Sequence, residues 1–199
     1  MKIIIENQYF PIIDWFKLSS NYLDYKIDTY ENFKKMSFRN RCLISGSNGL
    51  INLTIPLING REQKTIISAI KMDDSENWRA QHWKAIVSSY SRSPFFEFYG
   101  EEVKRLIFAP NQYLFDHNLK IIEWIASILK LGISIGFTES YLKEYSVSEA
   151  LDYRDRWLPK NYAQDKNEWQ PKYTQVFEDK FGFLPNLSIL DLLFCKGSL

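Results

Sequence analysis

Short apolar runs and helical stripes alternate along this chain, beginning with a β-branched triplet. Ile3, Ile4 and Ile5 form a continuous apolar run of strand length, the pattern of a strand buried on both faces. Polar Glu6-Asn7-Gln8 ends it, and Pro11 suits the first turn of a helix. Ile12, Ile13, Trp15, Phe16, Leu18 and Leu23 then recur at roughly helical spacing, and Tyr25 to Ile27 is extended again. Strand, short helix, strand is a compact crossover, so these two strands are expected to lie parallel. That arrangement places Gln8 and Asp28 near the carboxyl ends of neighbouring strands, the edge at which ligands bind open sheets of this kind.

Residues 36 to 58 predict a hairpin, because SFRNRCLIS and LINLTIPLI flank Gly46-Ser47-Asn48-Gly49 and Asn-Gly is a strong turn signal. TIISAIK (65 to 71) reads as a further strand. Ser75 is placed to cap a helix starting near Glu76, along which Trp78, His82, Ile86 and Tyr90 recur every fourth residue. Pro94 opens a second helix, and 112 to 131 a third, striped by Phe115, Leu119, Ile122, Ile125 and Leu129 and closed by Gly132. ISIGF (133 to 137) predicts a strand, and Ser188 a cap for a final helix stopped by Gly197. Residues 139 to 172 are polar and without period, a covering loop or a small insertion. The expected fold is a mixed α/β (α+β) domain over residues 1 to 199. It has a central mixed sheet, an N-terminal strand-helix-strand unit and a hairpin, packed by several helices.

Composition narrows the function classes. Net charge is +1, too little for a bulk field that would draw the chain to nucleic acid or an anionic membrane. No apolar run approaches the roughly 18 residues of a membrane span, and the first residues lack the apolar core of a signal peptide. Cys42 and Cys195 are isolated, against a disulfide framework. The cytoplasm is the expected compartment. The chain holds 6 Trp, 12 Tyr and 14 Phe, read either as a core and interfaces rich in rings or as a platform that stacks on a sugar or base.

Familiar catalytic motifs are missing: there is no G-x-S-x-G, no phosphate-binding G-x-x-x-x-G-K-[ST] and no H-E-x-x-H. Two His and two scattered Cys do not supply a zinc site, so no metal is expected, although carboxylate-held Mg2+ stays open. Gln8 offers an amide that both donates and accepts, suited to a carbonyl or sugar hydroxyl, or to a local turn. Arg39 and Arg41 share a parity, so on a strand both face one side, where their planar forks match phosphate or carboxylate; Asn40 faces the other. Trp78 and His82 lie one turn apart beside Arg79, and His82 is the candidate general base, against the plainer reading of a packed histidine. Asp191, three residues after Ser188, suits a helix N-terminus.

These same segments carry a family resemblance. IIIENQYFPIIDWF, Arg39-Asn40-Arg41, Gly49-Leu50-Ile51-Asn52-Leu53-Thr54-Ile55-Pro56, Trp78-Arg79 with His82 and Tyr90, Pro94-Phe95-Phe96 with Tyr99, and Phe183 to Phe194 follow one another in order. The ordered set resembles the WbqC-like protein family. Many members have Pro directly after the Gln where this chain has Tyr9, and 139 to 172 match least well. The family takes its name from O-antigen gene clusters, and a glycine-transferring role has been put forward for some members. The resemblance implies a transferase that moves a small acyl or aminoacyl group, glycyl among them, to an amino sugar in cell-surface polysaccharide synthesis. Its small-molecule partner would be a nucleotide sugar or an activated acyl or aminoacyl donor; the cofactor and any homo-oligomer are left open. In that reading Arg39 and Arg41 hold phosphates, Gln8 and Asn40 orient the acceptor with Trp78 and Arg79 close by, and His82 is the base. The alternative is a non-catalytic interaction or scaffold protein of envelope biogenesis, favoured by the many aromatic residues.

Overall fold

A computed structural model describes residues 1–59, 64–163 and 172–199. The triplet at the start forms strand β1 (Lys2–Ile5), followed by helix α1 (Ile13–Lys17), a 3-10 turn and strand β2 (Asp24–Ile27). β1 and β2 pair in parallel, with Ile3 opposite Tyr25 and Ile5 opposite Ile27. Those four side chains are fully buried. The crossover helix covers this side: Trp15 meets the Tyr25 ring at 5.0 Å and its indole N–H donates to the Glu6 carbonyl at 3.1 Å. Lys2 and Lys26 share a parity with Ile4 and face away from that packing.

Two later strands join this pair. β5 (Ser134–Phe137) pairs in parallel with β2, and β6 (Leu151–Asp152) in parallel with β1. The order β5-β2-β1-β6 is all parallel, so every strand ends at the same edge. The chain moves outward from β1 through β2 to β5, then returns to add β6 on the other side of β1. The gap between β1 and β6 is therefore a point where the connection direction reverses, the position at which doubly wound sheets open a crevice.

The hairpin forms a separate sheet instead of joining the first. β3 (Arg41–Gly46) and β4 (Gly49–Thr54) are antiparallel, with Ser47-Asn48 at the turn and Gly49 at φ +112°, a conformation that a side chain would strain. Its strands are shorter than 36 to 58. Residues Phe38–Asn40 make a 3-10 turn, so the shared face expected of Arg39 and Arg41 does not exist. The strand expected at 65 to 71 is a 3-10 turn, Ile67–Ala69, flanked by single bridges.

Helices α2 (Trp78–Tyr90), α3 (Phe96–Ile107), α4 (Leu114–Ile128), α5 (Glu178–Phe181) and α6 (Ile189–Cys195) complete the fold. α2 begins at Asn77 without a side-chain cap, whereas the Ser188 hydroxyl accepts from the Leu190 N–H at 3.3 Å as expected. Part of the segment at 139 to 172 lies outside the described residues; the rest contributes β6 and the turns that follow it.

Asp191 ties α6 to its surroundings. It is fully buried and accepts from the Tyr90 hydroxyl at 2.7 Å, the Tyr173 hydroxyl at 2.6 Å and the Gln175 amide at 2.8 Å. Tyr90 in turn accepts from the Ser45 N–H of β3 at 3.1 Å. Burial raises the Asp191 carboxyl above its ordinary range, and the three hydrogen bonds offset part of that rise. Asp191→Ala removes the acceptor of the buried Tyr90 hydroxyl and of the half-buried Tyr173 hydroxyl at once. It is expected to lower unfolding stability by about 3 kcal/mol in urea titration, and a loss under about 0.5 kcal/mol would show that the carboxylate contributes little.

Candidate functional site

Because all four strands of the parallel sheet point one way, the residues that follow them meet. Glu6, Asn7 and Gln8 follow β1, Asp28 follows β2, Thr138 follows β5, and Tyr153, Arg154 and Asp155 follow β6. Asp28 organises the turn after β2. One of its oxygens accepts from the Tyr30 N–H at 3.0 Å, the Glu31 N–H at 3.1 Å and the Thr138 hydroxyl at 3.1 Å. The other accepts from Arg154 Nη1 at 2.6 Å. That turn aims Glu31 back across the strand ends.

There Glu31 meets Arg39, which is 1% exposed. Arg39 donates from Nε to Glu31 Oε1 at 2.7 Å, from Nη2 to Glu31 Oε2, and from Nη1 to Asp155 Oδ1 at 2.9 Å. Asp155 Oδ2 accepts from Lys34 at 2.9 Å, and the Asp155 N–H donates to Glu6 Oε2 at 3.0 Å. The other Glu6 oxygen accepts from the Gln8 amide at 2.6 Å. Asp155 adopts φ +59°, a left-handed conformation that Asp tolerates better than most residues. Strand ends β1, β2 and β6 are thus joined through one ion cluster.

Each charge in the cluster answers to its surroundings. Burial opposes the Arg39 charge, but Glu31, Glu6 and Asp155 outweigh it and hold the proton more tightly than usual. Burial raises Glu31, Arg39 offsets only part of the rise, and its carboxyl is pushed up to about 7. Glu6 is raised as well, chiefly by burial. Asp155 is the contrast: burial would raise it, but Arg39 and Lys34 outweigh burial and hold it below the usual carboxylate range.

Over this cluster opens a polar cleft of about 370 Å³, lined by Glu31, Lys34, Tyr141, Lys143, Arg154 and Asp155 among others. Arg154 forms one wall. It donates to Asp152 from Nε and Nη2, to Asp28 from Nη1, and to the Leu142 carbonyl at 2.9 Å. The Tyr141 and Tyr145 rings lie 5.4 and 5.1 Å from its guanidinium carbon. Residues 141 to 145 are thereby fastened over the strand ends.

The residues expected from sequence divide among three places. Arg39 lines the cleft. Gln8 is fully buried behind it, holding Glu6 and accepting from the Ile12 N–H at 3.4 Å. Asn40 and Arg41 line a separate opening of about 300 Å³ with Met36, Thr54 and Pro56; the Asn40 amide donates to the Ile55 carbonyl at 2.9 Å. Trp78, Arg79 and His82 sit in neither. The Trp78 indole donates to Asp74 at 2.9 Å, and Arg79 donates to the Ile107 carbonyl and, at 3.1 Å, to the Ala109 carbonyl at the end of α3. Gln8 and Arg41 therefore do not share a pocket. Nothing in the sequence pattern singles out Glu31, Lys34, Asp152, Arg154 and Asp155, which line the cleft. The parallel crossover points to the edge where this cleft lies, but no periodicity marks the two-residue β6 that delivers three of them.

His82 is displaced from the expected catalytic position. Its Nε2 lies 3.2 Å from the Thr54 carbonyl, which can only accept, so Nδ1 accepts from the Tyr9 hydroxyl at 3.1 Å. The ring packs among Tyr9 and Trp78, with His117 stacked on Tyr9 at 5.9 Å. Burial pushes His82 down to about 4 and His117 down to about 3, with Arg79 adding to both. Both rings are neutral in the fold at pH 7, and neither lines the cleft.

The four-stranded parallel sheet with its carboxyl-edge cleft, the separate antiparallel pair and the helices around them define a mixed α and β architecture. Residues 7–166 match the model of the WbqC-like protein family, and the chain belongs to that family. It is also similar to "Uncharacterized protein Rv1507c" of Mycobacterium tuberculosis, 25% identical over 217 aligned positions that cover 98% of this chain and 93% of that protein. No solved structure matches. No helix among the described residues is long and apolar enough to cross a membrane.

The two histidines predict a pH dependence. Their folded-state pKa values lie below the unfolded value near 6.5, so the stability they contribute is complete above about pH 6.5 and is lost as pH falls toward their folded values. The raised carboxyls of Glu6, Glu31 and Asp191 act in the opposite sense, so the readout is the difference between wild type and His82→Gln/His117→Gln. That difference is expected to shift against the wild type by about 3 kcal/mol between pH 6.5 and 5 in urea titrations. A difference independent of pH would mean that the rings are solvated.

Proposed function

We propose that this protein is a transferase moving a small acyl or aminoacyl group, glycyl among them, to an amino sugar in surface-polysaccharide synthesis. The cleft over the Arg39 cluster is its substrate site. The observation that carries this reading is the place of the cleft: a mixed-charge pocket at the carboxyl edge beside the β1/β6 reversal, where sheets of this order hold small ligands. Family membership supports the substrate class and the reaction type.

The chemistry requires a base. An amine attacks an acyl carbon only as its neutral form. As the N–C bond forms, the bond from the acyl carbon to its carrier breaks, the electron pair leaves with the carrier, and nitrogen gives up a proton. Glu31, buried at the cleft floor and pushed up to about 7, is poised to take that proton near neutral pH. Asp155, held ionised, attracts the ammonium group and sugar hydroxyls. Arg39 positions both carboxylates. His82, with both ring nitrogens engaged, has no part in the transfer.

Glucosamine and a glycyl thioester, incubated with the protein, are expected to yield a glycyl amide detected by mass spectrometry. At saturating glucosamine, Glu31→Gln should cut the rate at least about 100-fold, beyond any loss of affinity. A protein that binds glucosamine yet forms no amide with glycyl or other acyl donors would contradict the transferase reading. Unchanged turnover by Glu31→Gln would remove Glu31 from it.

A further inference from the structure

The hydrogen-bonding capacity left over in the cleft specifies its ligand more closely. Both arginines are turned inward, with side chains 1% and 7% exposed, and most of their N–H donors are taken. Arg39 directs Nε and Nη2 to Glu31 and Nη1 to Asp155. Arg154 directs Nε and Nη2 to Asp152, Nη1 to Asp28 and Nη2 to the Leu142 carbonyl. They build walls and are not free to grip an anion. The lysines are different. Lys34 is 48% exposed at its side chain and has one bond, to Asp155, which leaves two of its three donors. Lys143 is exposed at the same cleft and its ammonium has no partner among the described residues.

The spare acceptors lie elsewhere in the cleft. Glu31 and Asp155 each accept one bond per oxygen from the cluster, and a carboxylate has about four acceptor sites. Asp152 has less left over, because Arg154 takes both its oxygens and the Arg154 N–H takes one again. A ligand that satisfies this set carries hydroxyl or ammonium donors for Glu31 and Asp155 and a compact anion for Lys34 and Lys143.

Size sets the remaining limit. At about 370 Å³ the cleft stands near the lower end of the range of about 300–1,000 Å³ for small-molecule sites. It accommodates one sugar ring with a small anionic group. The two tyrosine rings beside it, Tyr141 and Tyr145, already face the Arg154 guanidinium, so a nucleobase stacking there would compete with that contact.

We infer that the cleft binds a single amino-sugar residue bearing one phosphate, with the phosphate held by Lys34 and Lys143 and the amine and hydroxyls by Glu31 and Asp155. This rests on the cleft being the substrate site and goes beyond it by naming the form of the acceptor: a sugar monophosphate, not a nucleotide sugar. A later nucleotidyl transfer would then consume the modified sugar phosphate.

Calorimetric titration with four probes separates the alternatives: glucosamine, glucosamine 1-phosphate, inorganic phosphate and UDP-glucosamine. Glucosamine 1-phosphate is expected to bind at least about tenfold tighter than glucosamine, since two ammonium contacts to phosphate are together worth about 1.4 kcal/mol or more. Inorganic phosphate should bind more weakly than glucosamine 1-phosphate, and UDP-glucosamine no more tightly. Lys143→Ala, at an exposed position, should shrink the phosphate advantage to less than about threefold without changing glucosamine affinity, and Lys143→Arg should restore most of it. If glucosamine binds and its phosphate adds nothing, or if Lys143→Ala keeps the full advantage, the inference is overturned while the substrate site stands. Tighter binding of UDP-glucosamine would overturn it in favour of a nucleotide sugar. If no amino sugar binds at all, the substrate site fails, and this inference with it.

Discussion

One buried guanidinium holds the carboxyl edge of the parallel sheet together. Arg39, 1% exposed, bonds Glu31 beyond β2 and Asp155 beyond β6, and Asp155 bonds Glu6 at the end of β1. Taking such charges out of water is costly, and the attraction between them offsets the cost only where the geometry satisfies each partner. The planar fork meets that condition by bonding both Glu31 oxygens. Losing one partner of a buried pair costs about 3–5 kcal/mol, so the three strand ends are coupled through this contact. The Arg39 backbone is fixed as well: its carbonyl accepts from the Asn118 amide of α4 at 2.7 Å.

The cluster explains why the cleft is preorganised. Its carboxylates lie in fixed positions, with environments that push their proton affinities apart: Glu31 up to about 7 and Asp155 below its ordinary range. In the proposed transfer, acids separated in this way divide the work of proton transfer and charge attraction. Arg154 performs the matching task at the rim, where Asp28, Asp152 and two tyrosine rings hold it and it holds residues 142 and 143.

Much of the scaffold is legible in the sequence, and the reasons are local. A β-branched triplet, a short aromatic helix and a second extended run force a parallel crossover, and the Asn-Gly turn forces a hairpin. The apolar stripe of α4 needs no tertiary information. Legibility ends where tertiary contacts override local pattern. Phe38–Asn40 follows a strand-like sequence yet turns, because the Arg39 side chain is drawn to Glu31; parity then no longer relates Arg39 to Arg41. β6 is two residues long and exists only by pairing with β1, so nothing in its own composition announces it or the Arg154 and Asp155 beyond it. His82 shows the reverse case: a helical aromatic spacing that suits a catalytic residue proves to be core packing, with the ring bonded to Tyr9 and Thr54.

The proposed substrate is expected to engage the cleft over the Arg39 cluster and not the opening beside Asn40 and Arg41. Hydrogen–deuterium exchange followed by mass spectrometry tests it directly, comparing free protein with protein saturated by an amino-sugar phosphate. Slowed exchange concentrated in residues 28 to 40 and 139 to 155 is the expected result. Protection confined to 41 to 57, with the turn after β2 and the segment around Arg154 exchanging as before, would contradict the account.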